Sequence, residues 1–451
     1  MGTALLALQE KRLRRTVALC ARAHPYYRRK FAEWGLEPGD LRTLDDLARL
    51  PLTFKADYMA EPDAFRLRPE DLPPGASPEE AVLWDVVYTT GTTGGRPTPF
   101  SNTTHDIYGV LDQARRCSEA EGVGPEDRIA NLYPMAGFPT GAFSSVIRSG
   151  MIRGAPVISG LTGSANSEFR VRNSVAEALD IVERFRPTVL WGVPGFLRRF
   201  LYEARRGSAD FSAVRRVITS GEPVSAPLRA EIKEGLRAMG AEDPRVLARY
   251  AFTEMSGGFV QCDEDAAPQN RAPDLYAFEA ADPESGRRLP DGESGLVVIT
   301  HLHRRGTVLL RYAAGDIAAL SREACPVCGK EGERVVTPPR RTGGLVKCRG
   351  MLVNPDVIVE TLSDMKGVGE LQVVFRRSDR PGAMDEAVIR VEADSESGAE
   401  RLREEIVRRV REAVSIRPRV EFVPRGEIYD PERSIKVRRV VDLRTPQGGG
   451  D

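Results

Sequence analysis

From about residue 106 to residue 230 the chain alternates helical patterns with short apolar runs, and no other feature limits its fold as much. DRIANLY, APVIS, PTVLWGV and VRRVITS read as strands, and helices such as SVAEALDIVERF lie between them. Strands that alternate with helices build α/β layers around a mainly parallel sheet. Ligands collect at the ends of strands in such sheets. VITSGEP, 217 to 223, is one such end, where an apolar strand runs into Ser220, Gly221 and Glu222. It reads equally as a strand-to-helix turn with Pro223 opening the helix, and the two readings are compatible.

A further apolar run, AVLWDVV, leads into YTTGTTGGRPTPF, 88 to 100, which holds five threonines, three glycines and an arginine. Hydroxyls, backbone N–H groups free of bulky side chains and one cation suggest a phosphate cradle. It is not a Walker A loop. That loop needs Gly-Lys-Ser/Thr opening a helix, whereas Arg96 here is followed by Pro97 and Pro99, and prolines that close cannot begin an ordinary helix. A phosphate site here is therefore expected to be a flap with no helix dipole behind it. The alternative is a polar hairpin connection.

With 451 residues the chain can build two or three domains and a large core. Lys plus Arg and Asp plus Glu both number 65, so no net field points to nucleic acid or an acidic membrane as partner. MGTALLALQEKRLRR has too short an apolar stretch for a signal peptide or spanning helix, and Leu6 stands where a myristoylation signal wants Ser or Thr. A cytoplasmic protein is expected. Six cysteines in so long a chain make no disulfide scaffold, and only CPVC, Cys325 to Cys328, has suggestive spacing.

Past residue 340 the pattern changes. GELQVVFRR, DEAVIRVEA and PRVEFVP read as strands, and AERLREEIVRRVREAV as a helix with Leu402, Ile406, Val410 and Val414 on one face. The expected organisation is a large multi-layer α/β domain, 1–340, and a small α+β domain, 341–451, joined by a hinge at about 341–346. There Gly343 and Gly344 supply backbone freedom, and Asn354 and Pro355 read as the N-cap and first position of a helix. A plain linker would look the same.

Three further segments bear on chemistry. YAFTEM places Tyr250, Thr253 and Glu254 within five residues; RYAAGD ends an apolar strand at Asp316; SIKVRRVVD carries Lys436. Each alone is weak, since an acid after a strand is usually a turn residue and a lysine near a terminus is usually solvated. Their order is informative. A Thr/Gly-rich loop, Ser-Gly-Glu-Pro, Tyr-x-x-Thr-Glu, Arg-Tyr-x-x-Gly-Asp, Arg-x-Gly-Gly and a final Lys together resemble the adenylate-forming superfamily of acyl-CoA synthetases, luciferases and peptide-synthetase adenylation domains. Within it the chain looks most like the phenylacetate-CoA ligase branch, to whose N-terminal region HPYYRRKFAEWGLEPGDLRTLDDLARLPLTFKADY, 24 to 58, is similar. The resemblance covers nearly the whole length.

That resemblance implies two steps: a carboxylic acid and ATP give an acyl-adenylate and pyrophosphate, and the CoA thiol then displaces AMP. It implies that Thr89, Thr90, Gly91, Thr92, Thr93 and Gly94 grip the outer phosphates, that Glu254 holds Mg²⁺ and that Thr253 contacts a phosphate oxygen. Tyr250, Ser220, Gly221, Glu222 and Pro223 would embrace adenine, Asp316 would accept from the ribose hydroxyls, and Arg341 would bind ribose or phosphate. Lys436 would reach between the carboxylate and the α-phosphate. A compact ammonium on a flexible stem suits that task, and only eight of the chain's 65 basic residues are lysines. Three departures stand out: glycines at 343 and 344 where relatives carry acids, Ala251 for a usual glycine, and Gly95-Arg96 for Gly-Lys.

Members of this branch resemble the chain in a Cys after the Thr-Glu motif and a later Cys pair that together bind structural zinc. Here these would be Cys262, Cys325 and Cys328; the histidine that relatives place about seven residues beyond the first is absent, and Asp263, Asp265 or His303 are the candidate substitutes. Three reduced thiols are the alternative. For the acyl group, NLYPMAGFPTGAF and LWGVPG correspond to substrate-lining segments, so Tyr133, Phe138, Phe143 and Trp191 are candidates for a pocket that favours an aromatic or flat acid, and Ala251 is a further substrate candidate. Core packing explains such aromatics equally well. The expected partners are a small carboxylic acid, ATP and CoA, with a homodimer as an assembly the reading allows. An adenylating enzyme serving an acceptor other than CoA remains open, whereas retention of Thr253, Glu254, Asp316 and Lys436 argues against a non-catalytic nucleotide sensor.

Overall fold

In a computed structural model, the protein is described at residues 2–67, 70, 72, 75, 77–80, 82–89, 97–135, 140–163, 172–342, 346–348, 351–365, 367–377, 385–392, 399–430 and 437–444. The four runs read as parallel strands pair as such. A six-stranded sheet runs Val157–Ser159, Ile129–Asn131, Val189–Gly192, Arg216–Ser220, Arg245–Phe252, Gly257–Val260, with only the last pair antiparallel. The helices between them have legible starts. Ser174 caps Val175–Phe185 by accepting from the Glu177 N–H, and Pro194 occupies the first turn of Pro194–Arg206. Pro223 opens no helix. The helix after VITSGEP is Ala226–Arg237, capped by Ser225, whose side chain accepts from the Leu228 N–H. Residues 221–225 are thus left as an open turn at the strand end.

A second sheet is antiparallel: Arg334–Val335, Tyr312–Ser321, Ser294–His301, Tyr276–Ala281, with Arg340–Arg341 also pairing to Tyr312–Ser321. Leu83–Tyr88 and Pro99–Thr103 form a separate hairpin. One apolar core lies between the N-terminal helices and the antiparallel sheet, and another encloses the parallel sheet. These make the N-terminal lobe.

The third core, in the C-terminal lobe, lies against a four-stranded sheet ordered Arg419–Val423, Glu386–Glu392, Leu371–Arg376, Val440–Asp442. Ile406 and Val410 of the helix Ala399–Val414 are buried in it, with Leu402 and Val414 packed at its edge, the face expected from their spacing. Asn354 caps Pro355–Ser363 through the Asp356 N–H, also as expected. From the C-terminal lobe, Tyr429 and Val437 lie in the core of the parallel sheet, with Ile428 packed against it. None of the helices among the described residues is long and apolar enough to cross a membrane.

Candidate active site

The strand Arg245–Phe252 carries Tyr250 near its C-terminal end, where its hydroxyl donates to Asp316 Oδ2 at 2.8 Å. Asp316 comes from the antiparallel sheet and pairs through its backbone with Arg341, whose Nε lies 3.3 Å from Asp316 Oδ1. Burial raises the Asp316 carboxyl, with Arg341 and Tyr250 pulling the other way. Burial and then the Asp316 carboxylate hold the Tyr250 hydroxyl well above its ordinary value. Gly315, at φ +82, turns the chain so that its carbonyl accepts from the Thr342 N–H at 2.9 Å. The Arg341 segment is thereby fastened beside Asp316.

Thr253 and Glu254 lie in a single 3₁₀ turn, Thr253–Met255, directly after Tyr250's strand. Glu254 is 9% exposed, and burial raises its carboxyl despite the pull of its own backbone N–H, Arg341 and Lys55. Its carbonyl is held by His301, whose Nε2–H donates to Glu254 O at 2.9 Å while Nδ1 accepts from the Leu309 N–H at 3.1 Å. Those two bonds require a neutral ring with the proton on Nε2. Burial accordingly drives the His301 pKa well below its ordinary value. The other histidines follow. His24 and His303 are brought down to about 4 and His105 is lowered, burial being the leading cause in each.

Thr89 ends the stem of the hairpin. Its N–H donates to Thr98 O at 3.0 Å and its hydroxyl accepts from the Thr98 N–H at 3.1 Å, so both ends of the Thr/Gly loop are clamped together. Thr90, Gly91, Thr92, Thr93 and Gly94 lie outside the described residues, as do Phe138, Gly343, Gly344 and Lys436. A helix does stand behind the clamp, although not one that the loop itself opens. Tyr88 bridges to Thr140, which precedes the helix Gly141–Arg153, and a Cβ at Gly141 would stand 3.7 Å from Thr253 Oγ1. That helix has neither a side-chain cap nor an acid in its first turn, so its positive end faces Thr253 uncompensated by either.

At the end of Arg216–Ser220 the Ser220 hydroxyl is bonded to the Tyr133 hydroxyl, and Gly221, at φ +87, makes the turn. Glu222 points across the lobes. Its Oε2 accepts from the Gly195 N–H and its Oε1 from the Val437 N–H, both at 3.3 Å. Tyr133 and Trp191 are 3% and 0% exposed, and the Arg249 guanidinium lies 4.2 Å from the Trp191 ring centre. Both belong to the core beneath the strand ends. Ala251 is exposed, and the strand tolerates its methyl because its partner across the sheet is Gly258, where a Cβ would come within 2.7 Å of Ala251 Cβ.

Cys262, Cys325 and Cys328 converge: their sulfurs all lie within 4.8 Å of one another, Cys262 Sγ and Cys325 Sγ being 3.8 Å apart. Burial and the two neighbouring thiols push Cys262 up to about 12. Burial also acts upward on Cys328, but the Lys330 backbone and Arg271, with Nη1 3.3 Å from its sulfur, bring it down to about 7. Of the substitutes considered for a fourth ligand, Asp263 pairs with Arg245 at 2.9 Å and His303 packs against the His105 ring at 4.5 Å, and Asp265 does not join the three thiols. Three thiols fit three corners of a tetrahedral zinc site; among the described residues no Cys, His, Asp or Glu joins them as a fourth.

Sequence reasoning missed Lys55, Gly141 and His301. Lys55 and Gly141 fall inside quoted segments, whereas nothing in the sequence marked His301.

Tyr250, Asp316, Arg341, Thr253 and Glu254 thus gather at strand ends of the N-terminal lobe, with the C-terminal lobe packed against the turn at Glu222. The chain belongs to the AMP-binding enzyme family, which matches residues 43–303, and its AMP-binding enzyme C-terminal domain matches residues 350–444. It is 30% identical to a phenylacetate-coenzyme A ligase of Thermus thermophilus over 98% of this chain and 97% of that one. It is 26% identical to one from Escherichia coli K12, over 98% and 96%. Its fold superposes on 2-hydroxyisobutyryl-CoA ligase in the postadenylation state with R3-HIB-AMP at a TM-score of 0.78, with 23% identity over 97% of this chain and 89% of that one. On the same ligase with 2-HIB-AMP and CoA in the thioesterification state the score is 0.65, with 25% identity over 98% and 91%.

Proposed function

We infer that this protein activates a carboxylic acid with ATP, forming an acyl-adenylate, and passes the acyl group to CoA with release of AMP. The convergence of Tyr250, Asp316, Arg341 and Glu254 at the strand ends carries the reading, in a chain of this family. Attack of a carboxylate on phosphorus brings two anions together, so the barrier is mostly repulsion that fixed positive groups relieve. Asp316 would accept from the ribose hydroxyls, with Tyr250 fixing its other oxygen and flanking adenine. Ser220, Gly221 and Pro223 would complete the adenine turn. Arg341 and the clamped loop from Thr89 to Gly94 would hold phosphate oxygens, and Lys436 would sit between the reacting anions.

Glu254 and Thr253 offer hard oxygen donors side by side, a set that fits Mg²⁺ bound partly through nucleotide phosphates. When bound, that ion would supply charge neutralisation on the phosphates. The phenylacetate-coenzyme A ligases among the relatives support an aromatic acid as first substrate class. We propose a pivot at 341–346 between the two half-reactions, since the lysine and the thiol need the same approach.

A panel of carboxylic acids tests the reading. Pyrophosphate release should need an acid, aromatic acids should lead, and AMP release should need CoA. AMP release in the absence of CoA would move the protein to a different acceptor, and no acid-dependent pyrophosphate exchange would end the proposal.

Cys262, Cys325 and Cys328 would hold a structural zinc ion with a fourth donor from outside that set. Purified protein is expected to carry about one zinc per chain, as structural zinc sites bind tightly. Cys325→Ser should lose the metal and lower the melting temperature. Three titratable thiols and no metal in the native protein would establish the reduced-thiol alternative.

A further inference from the structure

The turn that would face adenine is also the seat of the C-terminal lobe. Acids and bases alternate across the boundary. Arg198 pairs with Glu231 within the N-terminal lobe, Nε to Oε1 at 2.9 Å, and places Nη1 3.7 Å from Glu370 Oε1 of the other lobe. Glu370 Oε2 lies 3.1 Å from Arg439 Nη1, and Arg439 Nη2 lies 3.6 Å from Glu222 Oε2, back in the N-terminal lobe. Both acids are 7% exposed at their side chains, and Arg439 is 21% exposed. The backbone takes part as well, because the Val437 N–H donates to Glu222 Oε1 at 3.3 Å. Around this chain of charges Tyr429 and Val437 enter the core, and the Arg425 guanidinium lies 4.3 Å from the Tyr202 ring centre.

We propose that Glu370 and Arg439 are positioning residues for adenylation, seating the segment that carries Lys436 in register on Glu222. The proposal rests on the acid-activating reading above. Arg439 is three residues beyond Lys436, and the N–H that Glu222 accepts belongs to the residue directly after it. A carboxylate that grips both therefore sets the height at which the lysine meets the nucleotide. Glu222 takes on a role that adenine contact would not require. Gly195 is the other half of the fit, since a Cβ there would stand 3.0 Å from Val437 Cγ2, 3.3 Å from Glu222 Oε2 and 3.5 Å from Glu370 Oε1.

Charge suits a seat that has to let go. Breaking a buried ion pair by deleting one partner strands the other, but parting two lobes returns both to water, so the pair can be specific when closed and release without a large penalty. Each acid here meets a base from the opposite lobe, so a shifted register would bring like charges together.

The test separates the half-reactions. With phenylacetate, MgATP and pyrophosphate as probes, Arg439→Gln should lower exchange by at least about tenfold, while thioester formation from supplied phenylacetyl-adenylate and CoA stays within about threefold. Arg439→Lys should recover most of the exchange, and Glu370→Gln should resemble Arg439→Gln. Equal falls in both half-reactions, or unchanged exchange, would overturn the proposal. Small-angle scattering in the presence of ATP gives an independent arm. Arg439→Gln should widen the distribution of interatomic distances and Arg439→Lys should not; identical profiles for all variants would also overturn it. If wild-type protein exchanges pyrophosphate with no acid, the functional reading has failed, and the scattering result still decides the seat.

Discussion

Replacing Lys436 by alanine is expected to lower acid-dependent ATP–pyrophosphate exchange by about a hundred- to thousandfold, the range typical of losing one preorganised charge-stabilising group. The affinity for ATP should change little. In the proposed reaction the lysine lies between two anions that approach only in the transition state, so most of its attraction is absent from the resting nucleotide complex. Equilibrium dialysis with ATP beside the exchange assay gives both numbers. Exchange at the wild-type rate would remove the lysine from the mechanism. Arginine should not substitute well, because a planar guanidinium has a different reach and spreads its charge.

Glu254→Gln is expected to be nearly as damaging, and its pH dependence is diagnostic. The carboxyl is raised by burial, so on acidification it takes up a proton earlier than an ordinary glutamate. Only the charged form would hold Mg²⁺, so exchange in the wild type should fall as pH drops through an apparent pKa above the usual carboxylate range. The glutamine variant should be roughly a hundredfold slower, by analogy with the loss of other charge-stabilising groups, and should lack that inflection. Stability moves the opposite way. A group whose folded pKa is raised gives stability at low pH that is lost as pH rises through the folded value, so ionised Glu254 burdens the empty protein near neutrality. The melting temperature of Glu254→Gln without nucleotide should exceed that of wild type at pH 7, with the gap closing in acid. A wild-type exchange profile without an acid-side inflection, or a variant less stable at pH 7, would count against this account.

The parallel sheet was readable because its central strands, such as Ile129–Asn131 and Val189–Gly192, are runs of residues buried on both faces, a local property of sequence. Asn354 and Pro355 were readable for a similar reason, since capping is decided within a few residues. Pro223 misled. A proline after a strand announces a helix only when no better start follows, and Ser225 with Pro227 provides one. The site was legible as an ordered set of motifs and illegible as geometry. The Tyr250–Asp316 bond joins two sheets across 66 residues, and His301 reaches Glu254 from the end of an inner strand of the antiparallel sheet. No local pattern shows that these residues meet. Nor does periodicity distinguish a tyrosine that lines a cleft from Tyr133, which is buried with its hydroxyl on Ser220. The pairing of Glu222 with Arg439 depends on how residues 217 positions apart meet across the lobes, which no local pattern records.

The state of the four histidines has a consequence for any solution study of this enzyme. With His24 and His303 near 4 and His301 far down, three of the four imidazoles stay neutral between pH 6 and 8, and burial lowers His105 as well. An inflection near neutrality in a rate profile, which custom would assign to histidine, is here better sought in a nucleotide phosphate.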